Sequence, residues 1–307
     1  MSSRQKEKIE AMPQKRESRC SSSPYWKTGP DALVVVPGMK PPAEIATWVP
    51  AIAHLDMRKL EQTSARKTVL KVLEICSGCC SVSSAAGNEA RENFGVDEVE
   101  VFSVDGKRST NATRIIDILQ WDWQNDELLN QFRYEQEEDT RYIYYAHASP
   151  PCGMYSSMSC PTRGPLSQRD LAWGDSVAQR CMELIHWFEP HFWTTESRGP
   201  PGLDTRIFMS DMERLRSTVN YCRYGMQRWK RTSIWTNITS WVPEPKCLCR
   251  PPQCCAHFME YGTHLEKIQR ISGPTFAALP EQLVRAWTRA ALVNMGLVFN
   301  ANVPPPI

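Results

Sequence analysis

The chain has 307 residues, with 36 Lys and Arg against 34 Asp and Glu, and 41% of it is hydrophobic. With a mean hydropathy of −0.45, this is a soluble globular composition with enough apolar material for one large domain or two small ones. The net charge of +2 points to no particular partner, and no apolar run reaches the length of about eighteen residues that a transmembrane helix needs.

The first residues, MSSRQKEKIEAMPQKRES, are charged and lack the apolar stretch of a secretory signal. The expected setting is therefore intracellular, nucleus or cytoplasm, with no membrane partner, and the twelve cysteines are expected to be thiols, catalytic groups or metal ligands. Residues 1–30 read as a disordered tail rich in Ser and mixed charge. Residues 31–66 read as a lead-in segment, with an apolar run Ala32–Val36, a Pro-rich turn and a helix-like stretch at 43–60.

From residue 67 to 237 the pattern is that of a larger domain. TVLKVLEICSG reads as a buried strand ending in a glycine turn, followed by small and then helix-forming residues in SVSSAAGNEAREN. VEVFSVDG is a second strand, YIYYAHASPPC a third running into a Pro-Pro-Cys turn, and a helix near 174–188 precedes the strand HFWTTES. Val219–Tyr224 and Thr232–Asn237 read as a strand pair around GMQRWKR. Strands alternating with helices indicate an α/β fold with a mainly parallel sheet, whose ligands sit at the C-terminal ends of the strands. The polar clusters of this segment all fall at such ends. The C-terminal segment, 276–307, holds LPEQLVRAWTRAAL, a Pro-started helix with Leu283, Ala286, Trp287, Ala290 and Ala291 at helical spacing, expected to close the domain.

Two ends of a site can be read from these clusters. At the first, LEICSGCCSVSSAA combines Glu74, Ser77 and Gly78 before a helix, where a nucleotide-like ligand needs close backbone approach. Asp105 ends the next strand, where a carboxylate accepts ribose hydroxyls, and Asp117 follows an apolar pair, where it can accept from an adenine amine. Cys76, Cys79 and Cys80 read as small packing residues in the turn.

At the second end, Pro150 and Pro151 hold the backbone rigid just before Cys152. Glu196 ends the strand of WTTESRG, and Arg228, Lys230 and Arg231 lie in the basic hairpin. A thiolate, an acid and a guanidinium suit attack on an electron-poor pyrimidine: Cys adds to C6, Glu holds and protonates N3, and Arg polarises O2.

Over residues 69–295 the sequence resembles the DNA (cytosine-5) methyltransferase family, in particular its compact viral and phage-like members. The landmarks stand in the family's order: LEICSGCCSVSSAA for the S-adenosylmethionine turn, SVDG and DILQWDW for the adenosine-binding acids, SPPC for the nucleophile, TES for Glu-Asn-Val or Glu-Asn-Pro, and GMQRWKRTSIW for Gln-x-Arg-x-Arg. The resemblance implies a Rossmann-like S-adenosylmethionine-dependent methyltransferase fold and methyl transfer to C5 of a flipped cytosine in double-stranded DNA; separately, a monomer is expected. It assigns Cys152 as nucleophile, Glu196 as N3 partner and Arg231 as O2 contact, with Glu74, Ser77, Gly78, Asp105, Asp117 and Pro150 around the cofactor. The chain departs from the family at Gly153 for Gln, Ser197 for the Asn that steadies the nucleophile loop, and Trp229 for the first Arg.

In place of a long target-recognition domain stands a Cys/His-rich insert, 238–275, so sequence readout is expected to be short. Within it, Cys247, Cys249, Cys254 and His264 are the expected ligands of a zinc ion, with His257 as competitor and reduced loop thiols as the alternative. From 205 to 231 seven basic residues stand against two acidic ones, with Tyr221, Tyr224 and Trp229 interleaved, a pattern for phosphate contact and stacking in which Arg228, Trp229 and Lys230 are the expected nucleic-acid residues. Two other functions compete. An N4-cytosine or N6-adenine DNA methyltransferase carries an aromatic ring where this chain has Cys152. A catalytically weak nucleic-acid-binding homologue accounts for Ser197 and Trp229.

Overall fold

A computed structural model of the chain describes residues 67–108, 110–155, 171–199, 202–226, 230–247 and 278–299. All of them belong to the compact unit Val36–Ile307. The expected tail, the lead-in segment and most of the Cys/His-rich insert lie outside the described residues.

Strand β1 (Lys67–Ile75) is buried from Val69 to Ile75, the profile of a strand covered on both faces, which is why its sequence is an almost unbroken apolar run. It pairs in parallel with β2 (Glu98–Asp105) on one side and with β4 (Thr140–Ala148) on the other. The short β3 (Arg114–Ile115) lies outside β2, and β5 (Phe192–Arg198) lies outside β4, both parallel. The last two strands, β6 (Arg216–Asn220) and β7 (Arg231–Thr236), form an antiparallel pair, and β7 inserts antiparallel beside β5. The seven-stranded order is β3-β2-β1-β4-β5-β7-β6. This mixed, mostly parallel α/β sheet is compatible with a Rossmann-like fold. The order reverses between β1 and β4, and ligands of such sheets bind at that switch point, beyond the C-terminal ends of the strands.

The pleat sorts residues between two helical layers. Helices α1 (Ser81–Phe94) and α4 (Glu281–Asn294) cover one face, where Leu70, Val72, Tyr145, Leu283 and Trp287 share a core. Helices α2 (Glu127–Tyr134) and α3 (Leu171–Phe188) cover the other, with Leu73, Ile75, Trp193, Trp235 and Ile185. Buried Glu89 on α1 accepts from Arg289 of α4 at 2.7 Å and from Asn93 at 2.9 Å, which fastens the C-terminal helix to the helix that follows the first turn. Lys71, buried in β1, donates to the carbonyls of Phe132 and Glu135 and so satisfies the C-terminal end of α2. No helix among the described residues is long and apolar enough to cross a membrane.

One expected element is reshaped. The strand expected over 219–224 ends at Asn220, and Tyr221–Tyr224 forms a 3-10 turn closed by Gly225 at φ 80°. The chain must reverse there to bring β7 back against β5, and a left-handed glycine is the inexpensive way to stop the turn. The helix expected near 174–188 starts one turn earlier, at Leu171.

Candidate active site

After β1 the backbone passes through three left-handed residues in five positions: Cys76 at φ 55°, Gly78 at 54° and Cys80 at 55°. That conformation suits Gly78 and is strained by about 1 kcal/mol or more at each cysteine. Hydrogen bonds hold it: Ser77 N–H donates to the Val104 carbonyl at 3.0 Å, and Gly78 N–H to Asp105 Oδ2 at 2.8 Å. Lys107 N–H donates to the other oxygen of Asp105 at 2.7 Å. Each oxygen of that carboxylate keeps a second lone pair for a ligand hydroxyl. A Cβ built on Gly78 meets nothing within 4 Å, so open space lies over the turn. Ser77 is buried within the same turn. Asp117 follows β3 and uses one oxygen to cap the Leu119 amide at 3.0 Å. Its charge and that of Asp105 both bear on the Cys76 thiol, so the two expected acids are gathered at this end of the sheet.

Glu74 has a different part. It is 1% exposed, and its two oxygens accept from the amides of Val82 and Ser83 at 3.3 and 2.8 Å. Burial pushes its pKa up while those amides pull it down. The carboxylate therefore caps α1 in the place where a phosphate binds in dinucleotide sites. A cofactor carrying a pyrophosphate would compete with Glu74 for the same amides. An adenosine-containing cofactor without phosphate, such as S-adenosylmethionine, has no such conflict, and Ser77, Gly78, Asp105 and Asp117 fit its polar groups.

Across the switch point, β4 ends at Ala148 and the chain turns through Ser149, Pro150 and Pro151 into a 3-10 turn at Cys152–Met154. Pro150 is buried and Cys152 half-buried. The turn is anchored at its start by Ser149 N–H donating to the Ile75 carbonyl at 3.0 Å. At its end, Tyr155 Oη donates to Asp175 of α3 at 2.8 Å. Asp175 also accepts from Arg206 Nε at 2.9 Å. Burial pushes the Cys152 thiol up; Lys230 and Arg198 pull it back toward the thiolate, and the Glu196 carboxylate adds to the rise. The nucleophile candidate, the acid and two cations thus share one electrostatic neighbourhood.

Glu196, 4% exposed, accepts at Oε1 from Tyr221 Oη at 3.0 Å and from Lys230 Nζ at 2.9 Å. Its Oε2 has no hydrogen-bond partner among the described residues. The carboxylate holds the Lys230 ammonium well above its ordinary pKa, against the cost of burial. Burial, with the adjacent Glu196 charge, pushes the Tyr221 phenol up.

This corrects the expectation for Arg231. In the antiparallel register Glu196 stands opposite Ile234, and Arg198 opposite Thr232, so the next position of like parity on that face is 230. Arg231 has the opposite parity and is exposed. Lys230, expected among the nucleic-acid residues, is the cation paired with Glu196. Arg228 and Trp229 lie outside the described residues. Sequence reading missed Arg198, which shares the parity of Glu196 along β5, a readable signal, and it took Tyr221 as a stacking ring without its bond to Glu196, which arises only through sheet pairing.

Ser197 is fully buried, and its hydroxyl finds no partner among the described residues, as is also true of Ser233 directly opposite on β7. It therefore does not tie down any described part of the nucleophile turn. The basic strip of 205–231 is also less available than its sequence suggests. Arg206 pairs with Asp175, Arg216 with Glu213 and Asp204, Arg223 with Glu244, and Lys230 with Glu196. Asp175, Asp204, Glu196 and Glu244 come from outside the counted window and neutralise it. Of the expected zinc ligands only Cys247 is described, half-buried, its amide donating to Asn220 Oδ1 at 3.1 Å; Cys249, Cys254 and His264 lie outside the described residues.

No model of a known protein family matches the chain, and no curated protein matches it significantly.

Proposed function

We propose that this protein transfers a methyl group from S-adenosylmethionine to C5 of cytosine in DNA, with Cys152 as covalent nucleophile. The observation that carries the proposal is the meeting of Cys152, Glu196 and Lys230 at one mouth, across the switch point from a turn whose helix amides are already capped by Glu74. As a thiolate, Cys152 adds to C6 of the flipped base, favoured by Lys230 and Arg198 beside it. Glu196, carrying a proton on its open Oε2, donates it to N3 as the C6–Sγ bond forms. Lys230, which donates to Glu196 and, at 3.4 Å, to Tyr221 Oη, has one N–H left; it faces the O2 carbonyl and balances the charge that develops there. S-adenosylmethionine, when bound, would supply the electrophilic methyl group for C5, its S–CH3 bond breaking to leave S-adenosylhomocysteine. Loss of the C5 proton to water and cleavage of the C6–Sγ bond then return Cys152 as a thiolate.

Trapping tests this. DNA containing 5-fluorocytosine, with S-adenosylmethionine, should yield a covalent adduct that Cys152→Ser abolishes. No adduct, with cofactor binding intact, overturns the reading; a methyl on N4 or N6 instead supports an exocyclic-amine methyltransferase, and no product a binding homologue. Zinc at Cys247, Cys249, Cys254 and His264 belongs to the same proposal, and metal analysis of the purified protein tests it.

A further inference from the structure

The motif Ser149-Pro150-Pro151-Cys152 has a peculiar weakness. Neither proline has an N–H, so between Ser149 and Cys152 the backbone has no donor with which to fix its course. On the strand side, the hydrogen-bond donors that can fix the turn are therefore those of Ser149. Its amide is bound to β1, as described. Its hydroxyl is bound to a second group: Ser149 Oγ lies 2.8 Å from His147 Nε2.

His147 is 1% exposed, and its other nitrogen, Nδ1, lies 2.7 Å from Thr194 Oγ1 on β5. Thr194 stands two residues before Glu196, on the same face of the strand. The imidazole also stacks on Trp287 of α4, with ring centroids 6.1 Å apart and planes 17° from parallel. We infer that His147 is a positioning residue, a neutral strut that sets the nucleophile turn carrying Cys152 against the strand carrying Glu196. This inference adds a residue to the proposed methyltransferase site and rests on that reading for its reaction, but not for its geometry.

The chemistry of the chain favours a strut over a proton relay. A neutral imidazole has one N–H, so it donates at one end and accepts at the other. The path continues from Thr194 Oγ1 to Tyr145 Oη at 2.7 Å and stops there, since Tyr145 is fully buried. A proton sent inward has no exit. Burial also holds His147 uncharged, with its pKa pushed down to about 3.

Two readouts test the strut separately from the reaction. The first is alkylation of Cys152 by iodoacetamide, followed site by site by mass spectrometry, with the exposed Cys79 as internal control. Ser149→Ala and His147→Gln should free the turn and raise the Cys152 rate about threefold or more while Cys79 is unchanged, and Ser149→Thr should restore the wild-type rate. The second is adduct formation with 5-fluorocytosine DNA, which should fall about tenfold or more in Ser149→Ala at unchanged cofactor affinity, since small misplacements of a reacting group are costly. Wild-type alkylation in both variants, with only a lower melting temperature, overturns the strut. Altered alkylation together with no adduct in the wild-type protein keeps the strut and overturns the methyltransferase reading.

Discussion

Lys230 Nζ stands 2.9 Å from Glu196 Oε1, on the carboxylate oxygen that already accepts from Tyr221. Both donors of the pocket wall converge on one oxygen, so the pair leaves the other oxygen and one ammonium N–H for a ligand. Both charges are largely buried, with side-chain exposures of 16% for Lys230 and 6% for Glu196. A buried pair of this kind is weak evidence for net stability, because desolvation offsets the attraction, but loss of one partner leaves an uncompensated buried charge.

Removing one partner should therefore be severe. Lys230→Met is expected to destabilise the fold by about 3 kcal/mol, because Glu196 is left buried and unpaired. It should also raise the pH at which Cys152 alkylates, since the lysine pulls that thiol toward its thiolate. Lys230→Met/Glu196→Gln should regain stability in urea denaturation without regaining adduct formation. Lys230→Arg, which keeps the charge, should lose far less. Arg231→Met should leave the Cys152 pH profile where it is.

Gly78→Ala and Gly95→Ala form a matched pair. Both glycines are left-handed, at φ 54° and 62°, and an added Cβ meets nothing within 4 Å at either. Each substitution should cost about 1 kcal/mol of stability from backbone strain. Only Gly78→Ala places a methyl group over the expected cofactor turn, so only it should weaken S-adenosylmethionine binding, by about tenfold. Equal affinities in the two variants, measured by calorimetry, would move the cofactor away from this turn.

Asp175 anchors the far end of the nucleophile turn through Tyr155 and also receives Arg206. Asp175→Asn keeps the shape and loses the charge, which should cost about 1–2 kcal/mol. Adduct formation should slow while cofactor affinity holds, because the turn loosens and the Ser77–Gly78 turn does not. A uniform loss of both would mean that Asp175 supports the whole domain.

His147 gives a pH signature. Its folded pKa of about 3 lies below the ordinary 6.5, so the unfolded chain binds a proton that the folded protein excludes. The contribution is complete above pH 6.5 and is lost as pH falls toward 3, at about 1.4 kcal/mol per pH unit. His147→Gln should be less stable at pH 7.5 yet lose less between pH 6.5 and 4.5 than the wild type. Parallel urea midpoints across that range would show that His147 titrates normally.

Much of the domain could be read before any coordinates. Short β-branched-rich runs such as TVLKVLEI, bounded by turn residues, read as strands covered on both faces, and the breaks at Gly78 and Pro150–Pro151 mark where those strands end. Because ligands of a parallel sheet gather at strand ends, the turn around Gly78, the strand-end Asp105, Cys152 and Glu196 could be named from order and position alone. The basic strip misled, because a window of sequence counts only its own acids, and the partners of Arg206, Arg223 and Lys230 come from Asp175, Glu244 and Glu196.

What the sequence by itself determined is the α/β class, the strand ends and the chemical types gathered there. These follow from local properties: hydrophobic period, turn residues, and proline's missing N–H. Only the tertiary structure decided that Lys230 rather than Arg231 faces Glu196 and that His147 joins Ser149 to Thr194. Each depends on strand register or on contacts between distant segments, and a one-residue slip of β7 against β5 would reverse the first of them.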